Sequence, residues 1–429
     1  MKVRNAPLSW TTVQRKVNDL VPQELNPRKI TDRQMNDLKK SLKRFNLAEI
    51  PAINLDGKIL AGHQRIKALQ LLGRGEEMID VRIPNRLLTK EESNRYLIGS
   101  NAIGGSWDFG LLKSFELDFL LDVGIDEITL SKGWDTDKKV KEDNLDINKE
   151  IRKNKNPRTK LGDVIHLGKH ILICGDSTKI ETVQKFPNKV KVSMVYSDPV
   201  YNLKGGVSYR GGVGGKKDYG ADVADNRTYD EYYKFIEDSL KAALSLAGNC
   251  LHIFYWCDQI YIGLIQEIFR KLGLNNKRVC LWIKNGHNPV PGVAFNKCYE
   301  PCVYATKGKP YLAENQTKNN EVLNSELTTG NEMFDAVDLW LSKRLSGKDY
   351  EHATSKPNSL HEKAIKRCTK VNDVIFDSFL GSGSTLLCAE QLGRVVYGCE
   401  LEPVFCDLII KRWELLTGKK AIYENQSQK

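Results

Sequence analysis

Two short stretches carry the residues best suited to chemistry. Asp198-Pro199-Val200-Tyr201 follows one apolar run, and Phe379-Leu380-Gly381-Ser382-Gly383-Ser384-Thr385 follows another. The first joins a carboxylate, a rigid turn and an aromatic face, which is what holding a flat exocyclic amine requires. Asp198 can accept one amine hydrogen, the Pro199 carbonyl the other, and Tyr201 can stack on the ring. A nucleobase amine is a poor nucleophile because its lone pair is delocalised. Hydrogen bonds to a charged acceptor contribute about 1.5–3 kcal/mol. They strengthen as charge develops on nitrogen, so they aid rate more than binding. Stacking adds about 1–3 kcal/mol, against a few kcal/mol for extruding the base from a duplex. An Asp-Pro after a strand is by itself only a turn; Tyr201-Asn202 and the second stretch give it chemical meaning.

The second stretch is a glycine turn that follows a strand, Val374-Ile375-Phe376, and Asp377, and leads into a helix. Its glycines permit positive φ and close backbone approach, and the helix start offers unpaired N–H groups. A P-loop would need Lys soon after Gly383, and a dinucleotide fingerprint a third glycine where Leu386 stands. Neither fits. The next strand, Val395-Val396-Tyr397-Gly398, ends in Cys399-Glu400, and an acid there is placed to accept two ribose hydroxyls.

The elements that must position these residues alternate. Strands are expected at 192–196, 250–256, 279–283, 302–305, 374–376 and 395–398. Helices are expected at 229–246, opened by a Thr228/Glu231 capping box, at 260–272, and at 386–392, closed by Gly393. Such alternation predicts a mostly parallel α/β sheet covered on both faces, with ligands at the carboxyl ends of the strands. Four segments are expected: 1–88 mixing short strands and helices, 89–137 helical, 138–160 a charged linker, and 161–423 the large α/β unit.

The 429 residues exceed one ordinary core. With 41% hydrophobic and 28% charged residues the composition is globular. No apolar run approaches the roughly 20 residues of a membrane span, and the start has no secretory core, so a cytoplasmic protein without a membrane partner is expected. The net charge of +11 points to a polyanion such as nucleic acid. The ten cysteines are scattered, without zinc-ribbon spacing, so no metal is expected.

Residues 160–423 resemble the amino-group DNA methyltransferases of the permuted class, in which the catalytic motif precedes the cofactor motif. The family's Asp-Pro-Pro-Tyr stands as Asp198-Pro199-Val200-Tyr201, and its Asp-Pro-Phe-x-Gly-x-Gly-Thr as the stretch from Asp377 to Thr385. Its His-Pro-x-x-Lys-Pro stands as His352 to Pro357. Gly175-Asp176, Trp282-Ile283-Lys284 and Glu300 ahead of Val303-Tyr304-Ala305 match further positions in order. The resemblance implies a Rossmann-like S-adenosylmethionine-dependent fold and methyl transfer to adenine N6, with cytosine N4 as the nearest alternative. It implies Asp377, Phe379, Gly381, Gly383 and Thr385 around the methionine part of the cofactor, Lys356 near its carboxylate, Glu400 on the ribose and Asp176 on the adenine. Asp198, Pro199 and Tyr201 would be catalytic. Val200, in place of the second proline, frees an N–H and is expected to loosen the turn and slow the enzyme.

Residues 14–83 resemble the small α+β ParB/sulfiredoxin-like N-terminal domain, through Asn26-Pro27-Arg28, the Asp56-Gly57 turn and Gly62-His63-Gln64-Arg65. In that family the last motif meets nucleotide phosphates, which makes CTP or ATP the candidate ligand of Gly62, His63 and Arg65. The alternative is a DNA-docking or assembly module without nucleotide. Such a fusion implies a gene of a phage or mobile element, and a restriction-modification role. A rival from another class is a nucleotide-gated DNA-binding protein with a non-catalytic methyltransferase fold. Residues 203–227, rich in Gly, Lys and Arg, read as a lid or clamp on double-stranded DNA, with Lys204, Arg210, Lys216 and Lys217 facing phosphates. The main base-reading region is expected between 308 and 350. A homodimer is left open.

Overall fold

The computed structural model describes residues 7–23, 28–30, 32–101, 106–122, 125–135, 139–143, 145–187, 191–202, 226–284, 297–313, 338–341 and 356–424. The chain divides into two compact units, Met1–Thr136 and Asp137–Lys429.

In the first unit, β1 (Trp10–Lys16), β3 (Ala52–Ile53), β4 (Ile59–Ala61) and β5 (Met78–Pro84) form a sheet in the order β1-β5-β3-β4. The strands β2 (Arg28–Lys29) and β6 (Ser106–Trp107) pair separately. Helix Asp32–Phe45 sends Leu42, and helix His63–Leu71 sends Ile66 and Leu69, into a core with Val17, Ile53, Ile59, Ile79 and Val81. Helices Lys90–Asn101, Phe109–Leu112, Leu117–Asp122 and Glu127–Trp134 follow.

The second unit is built on β7 (Val164–Leu167), β8 (His170–Cys174), β9 (Val192–Ser197), β10 (Ala247–Trp256), β11 (Asn275–Ile283), β12 (Tyr299–Lys307), β13 (Leu339–Leu341), β14 (Val374–Asp377), β15 (Val395–Glu400) and β16 (Ile422–Tyr423). Their order is β13-β11-β12-β10-β9-β14-β15-β8-β7-β16. The central run β10-β9-β14-β15-β8 is parallel throughout. Its strands are apolar and buried on both faces, as crossover connections demand.

The flanks depart from the expected mostly parallel sheet. β12 is antiparallel to β10 and β11, and β7 to β8 and β16. Between β7 and β8 the reason is local. Only Gly168 and Lys169 separate them, and so short a link cannot cross over.

Helices Tyr229–Ser245 and Ile262–Lys271 cover one face through Tyr232, Ile236, Leu240, Ile265 and Phe269. Helices Asn358–Cys368, Ser384–Leu392 and Pro403–Thr417 cover the other through Leu360, Ile365, Leu386, Ile409 and Trp413. The helix after β9 therefore lies on one face and the helix after β14 on the other. The two strands are neighbours, so the turns that leave them diverge toward opposite faces of the sheet, the arrangement at which ligands bind in open α/β sheets.

The stretch expected as a linker is instead packed on this unit. Val140 is buried, and its N–H bonds Glu362 at 2.9 Å. Helix Ile147–Lys153 is capped by Asp146. Asp407 accepts from Asn154, Arg158 and Thr159 at 2.6–3.1 Å. Charges that read as solvation, those of Glu142, Asp143 and Glu150, meet partners more than 200 positions further along the chain.

Candidate active site

The turn after β9 gathers a charged cluster. Asp198 Oδ1 accepts the Tyr201 hydroxyl at 3.0 Å, and Oδ2 pairs with the Lys356 ammonium. Lys356 also donates to the Tyr201 oxygen at 2.9 Å and lies 3.4 Å from Glu300 Oε2. The same Tyr201 hydroxyl stands 3.1 Å from Glu300 Oε2, so its single proton is shared between the two carboxylates, and Glu300 also pairs with Lys284. The Lys356 ammonium stands 4.8 Å from the Trp256 ring centre and 5.2 Å from that of Tyr201, so aromatic faces help hold the buried cation. Two carboxylates and two ammonium groups balance in a site where an unpaired charge would be costly.

Burial pushes the Asp198 carboxyl up, against the pull of Lys356. Burial would also raise Glu300, but Lys356 and Lys284 outweigh it and hold the carboxyl at about 2. Burial likewise opposes the charge on Lys356, and Asp198 and Glu300 together keep it up. Both oxygens of Asp198 are thus engaged, one by a hydroxyl and the other by an ammonium.

The turn is held by residues that carry no chemistry themselves. Tyr232 donates to the Val200 carbonyl at 2.9 Å. Asn202, buried at φ 53°, donates to the Arg227 carbonyl at 3.0 Å and accepts the Arg227 N–H at 2.6 Å. Tyr261 donates to the Asn202 carbonyl at 3.1 Å. The carbonyls of Val200 and Asn202 are thus both held by tyrosine hydroxyls from helical elements. Asn202 and Arg227 flank the 203–225 segment in sequence. That segment lies outside the described residues, and with it Lys204, Arg210, Lys216 and Lys217. So do His352–Ser355 and most of the 308–350 region.

The glycine turn leaves β14 beside this cluster. The Ser378 N–H donates to Ser197 Oγ at 3.3 Å, which ties the ends of the two strands together. Gly381 and Gly383 have φ of 53° and 86°. A Cβ on Gly381 would meet nothing nearer than 4.0 Å, so the backbone there faces open space, whereas one on Gly383 would press on Ile409 at 2.9 Å. Asp377 accepts the Phe379 N–H at 3.0 Å. Glu400, at the end of β15, accepts the Gly381 N–H at 2.7 Å. Burial pushes the carboxyls of Asp377 and Glu400 up to about 7. Asp176, just past β8, accepts from Thr178 at 2.7 and 2.9 Å. Asp198, Asp377, Glu400 and Asp176 thus follow successive parallel strands along one edge. Thr385, on the first turn of the helix that follows, is buried near Asp377.

Lys356, expected near the carboxylate of the cofactor, has its ammonium on Asp198. Glu300 and Lys284 had signalled only fold positions, and the structure places both in the charged cluster. Two further links escape sequence reading. His361 bonds Tyr196 of β9 at 3.0 Å and Ser384 at 2.9 Å, and burial holds it neutral, down at about 3. Arg412 donates to the Ser382 carbonyl at 2.6 Å.

This geometry agrees with what the chain is similar to. Residues 192–411, more than half of its length, match the DNA methylase family. The chain belongs to that family. It is 30% identical over 245 residues to the Type II methyltransferase M2.DpnII of Streptococcus pneumoniae, covering 54% of this chain and 86% of that one. It is also 30% identical over 253 residues to the Type II methyltransferase M.HinfI of Haemophilus influenzae, covering 54% and 66%. A crystal structure of an M1.HpyAVI–SAM complex is matched at 22% identity and a TM-score of 0.41, over 56% of this chain and 97% of that one.

The first unit has its own glycine turn. Gly62, at φ 98°, precedes helix His63–Leu71. His63 Nε2 accepts the Gln23 N–H at 3.3 Å, and burial lowers its pKa to about 4. Arg65 pairs with Glu49. Among the described residues no helix is long and apolar enough to cross a membrane.

Proposed function

We propose that the chain transfers the methyl of S-adenosylmethionine to the exocyclic N6 amine of an adenine flipped out of duplex DNA. The observation that carries this reading is the meeting of two turns on adjacent parallel strands. Asp198 and Tyr201 leave β9, and the open glycine turn leaves β14. An Asp opening the catalytic turn favours adenine over cytosine, by the resemblance noted above.

The residues along the strand edge fit the cofactor. Gly381 leaves room for it, and the acids Asp377, Glu400 and Asp176 suit its positive charge and its hydroxyl and amine donors. When bound, S-adenosylmethionine supplies a methyl group on a sulfonium, ready for in-line attack. The chain's own part is to hold the amine. Asp198 exchanges Tyr201 or Lys356 for an amine hydrogen and draws nitrogen toward tetrahedral geometry. Tyr201 offers its half-buried ring to the base, and Lys356 and Glu300 fix the carboxylate's place. No covalent enzyme intermediate is needed.

The first unit is proposed as a ParB-like module that docks on DNA. A nucleotide phosphate at Gly62 would have to displace Glu49 from Arg65, and His63 is neutral there.

The test is to incubate full-length protein with duplex DNA and methyl-labelled cofactor, then digest to nucleosides. Label in N6-methyldeoxyadenosine is expected. Label in N4-methyldeoxycytidine would move the substrate to cytosine. Absence of label, with cofactor bound, would overturn transfer altogether.

A further inference from the structure

Residues 140–143 bond to both sides of the site although they lie far from it in sequence. Both carboxylate oxygens of Glu142 are used. Oε2 accepts the Asn358 N–H at 2.8 Å and Oε1 the Ser359 N–H at 2.9 Å. These are the first two N–H groups of helix Asn358–Cys368, whose own N-cap, Pro357, makes no side-chain hydrogen bond. Such groups have no partner within the helix, and an anion there is stabilising. Lys356 stands directly ahead of this helix, so the place of the helix start sets the place of the lysine that holds Asp198. Asp143 Oδ2 accepts from Arg412 Nε at 2.7 Å. The same buried guanidinium donates to the Ser382 carbonyl at 2.6 Å, between the two glycines of the cofactor turn, and to Asn358 at 3.3 Å. The N–H of Lys141 bonds Gln391 at 2.8 Å, and the Gln391 amide returns to the Lys141 carbonyl at 3.0 Å, on the helix that follows that turn.

We propose that Glu142 and Asp143 are positioning residues for methyl transfer, a reading that rests on the function proposed above. Glu142 acts through the helix start on Lys356, and hence on the amine-holding carboxylate. Asp143 acts through Arg412 on the glycine turn, and hence on the cofactor. The two effects should separate in the main, because Glu142 leads to the lysine on Asp198 and Asp143 to the glycine turn, with the 3.3 Å bond from Arg412 to Asn358 linking the two routes.

The experiment uses full-length Glu142→Ala, Glu142→Gln and Asp143→Ala proteins. Three quantities are read for each: cofactor affinity by calorimetry, single-turnover transfer to duplex DNA at saturating cofactor, and the melting temperature. Glu142→Ala is expected to slow transfer about tenfold with cofactor affinity within about twofold, since small misplacements near reacting groups are costly. Glu142→Gln keeps one acceptor oxygen and should recover part of that rate. Asp143→Ala is expected to weaken the cofactor about tenfold. A wild-type rate in Glu142→Ala with lowered melting would make Glu142 a purely structural residue and overturn its role. Equal loss of affinity and rate in both alanine variants would do the same for the division of labour. If Glu142→Ala fails to fold, the Gln variant decides, with a wild-type rate counting against the proposal. If the wild type binds cofactor but transfers nothing, the proposed function fails, while the Asp143 arm is still read from affinity. A wild type that binds no cofactor overturns both.

Discussion

The chain uses one backbone device twice. Gly62 and Gly383 both sit in the left-handed region, at φ 98° and 86°, and each starts a nine-residue helix. What surrounds the two turns differs. Around Gly383 the neighbouring strand ends bring Asp377 and Glu400, and Glu400 already bonds the Gly381 N–H. Around Gly62 the nearby charges are Arg65 and its partner Glu49, and Pro51 lies where a Cβ would come within 3.0 Å. The helix start alone favours anions in both places. The side chains nearby make the difference: Asp377 and Glu400 support the proposed cation-accepting edge in the second unit, whereas Arg65 in the first is already paired with Glu49.

Four variants or conditions put pressure on that contrast. The largest effect should come from Asp198→Ala, which removes the amine acceptor from the second-unit edge. Transfer is expected to fall about a hundred- to a thousandfold in single-turnover assays, with cofactor affinity near wild type. Equal loss of both would mean that the edge is one misfolded whole. Gly383→Val comes next. The new side chain strains a positive φ and presses on Ile409, costing roughly 1–3 kcal/mol. Cofactor titration should then show no binding, and an unchanged titration would remove the turn from the site.

A pH series sharpens the contrast more gently. Burial raises Asp377 and Glu400 to about 7. In the empty protein these carboxyls keep protons that a bound cation would expel. Cofactor affinity should therefore rise as pH passes from 6 to 7 and level off above it, with proton release seen by calorimetry in buffers of different ionisation heat. Glu400→Gln should flatten part of that slope. A profile flat from pH 6 to 8 in the wild type would contradict a cation-accepting edge. The smallest effect is expected for Arg65→Ala in the first unit. Cofactor affinity should not move, and DNA affinity should drop only a few-fold, in keeping with about 1 kcal/mol for one screened cation. A large loss of transfer there would erase the distinction between the two turns.

How much of this was legible in the sequence depended on the range of the interaction. The strand-turn-helix around Gly381 and Gly383, and the capping box of Thr228 and Glu231, are written in neighbouring residues, and both are present in the structure. The meeting of Asp198 with the glycine turn follows from pairing between β9 and β14, 181 residues apart at Ser197 and Ser378, and could be inferred only because each turn explained the other. Lys356 was found as a motif residue, but its partner depends on where its helix starts, which Glu142 helps to set. The 139–160 stretch misled because charge density reads as solvation, whereas its acids meet a helix start and a buried arginine. Glu300 is the second residue of β12, ahead of an apolar run, and a buried carboxylate at the start of such a strand was the signal available for its role. The antiparallel flanks were hidden because periodicity does not record strand direction.

The central claim is that turns from two neighbouring parallel strands form one methyl-passing site. The most direct test is a single-turnover reaction of wild type and Asp198→Ala with duplex DNA at saturating labelled cofactor, followed by nucleoside digestion. The account predicts label in N6-methyldeoxyadenosine for the wild type and almost none for the variant, with cofactor bound equally by both. Label appearing at the same rate in the variant would contradict it.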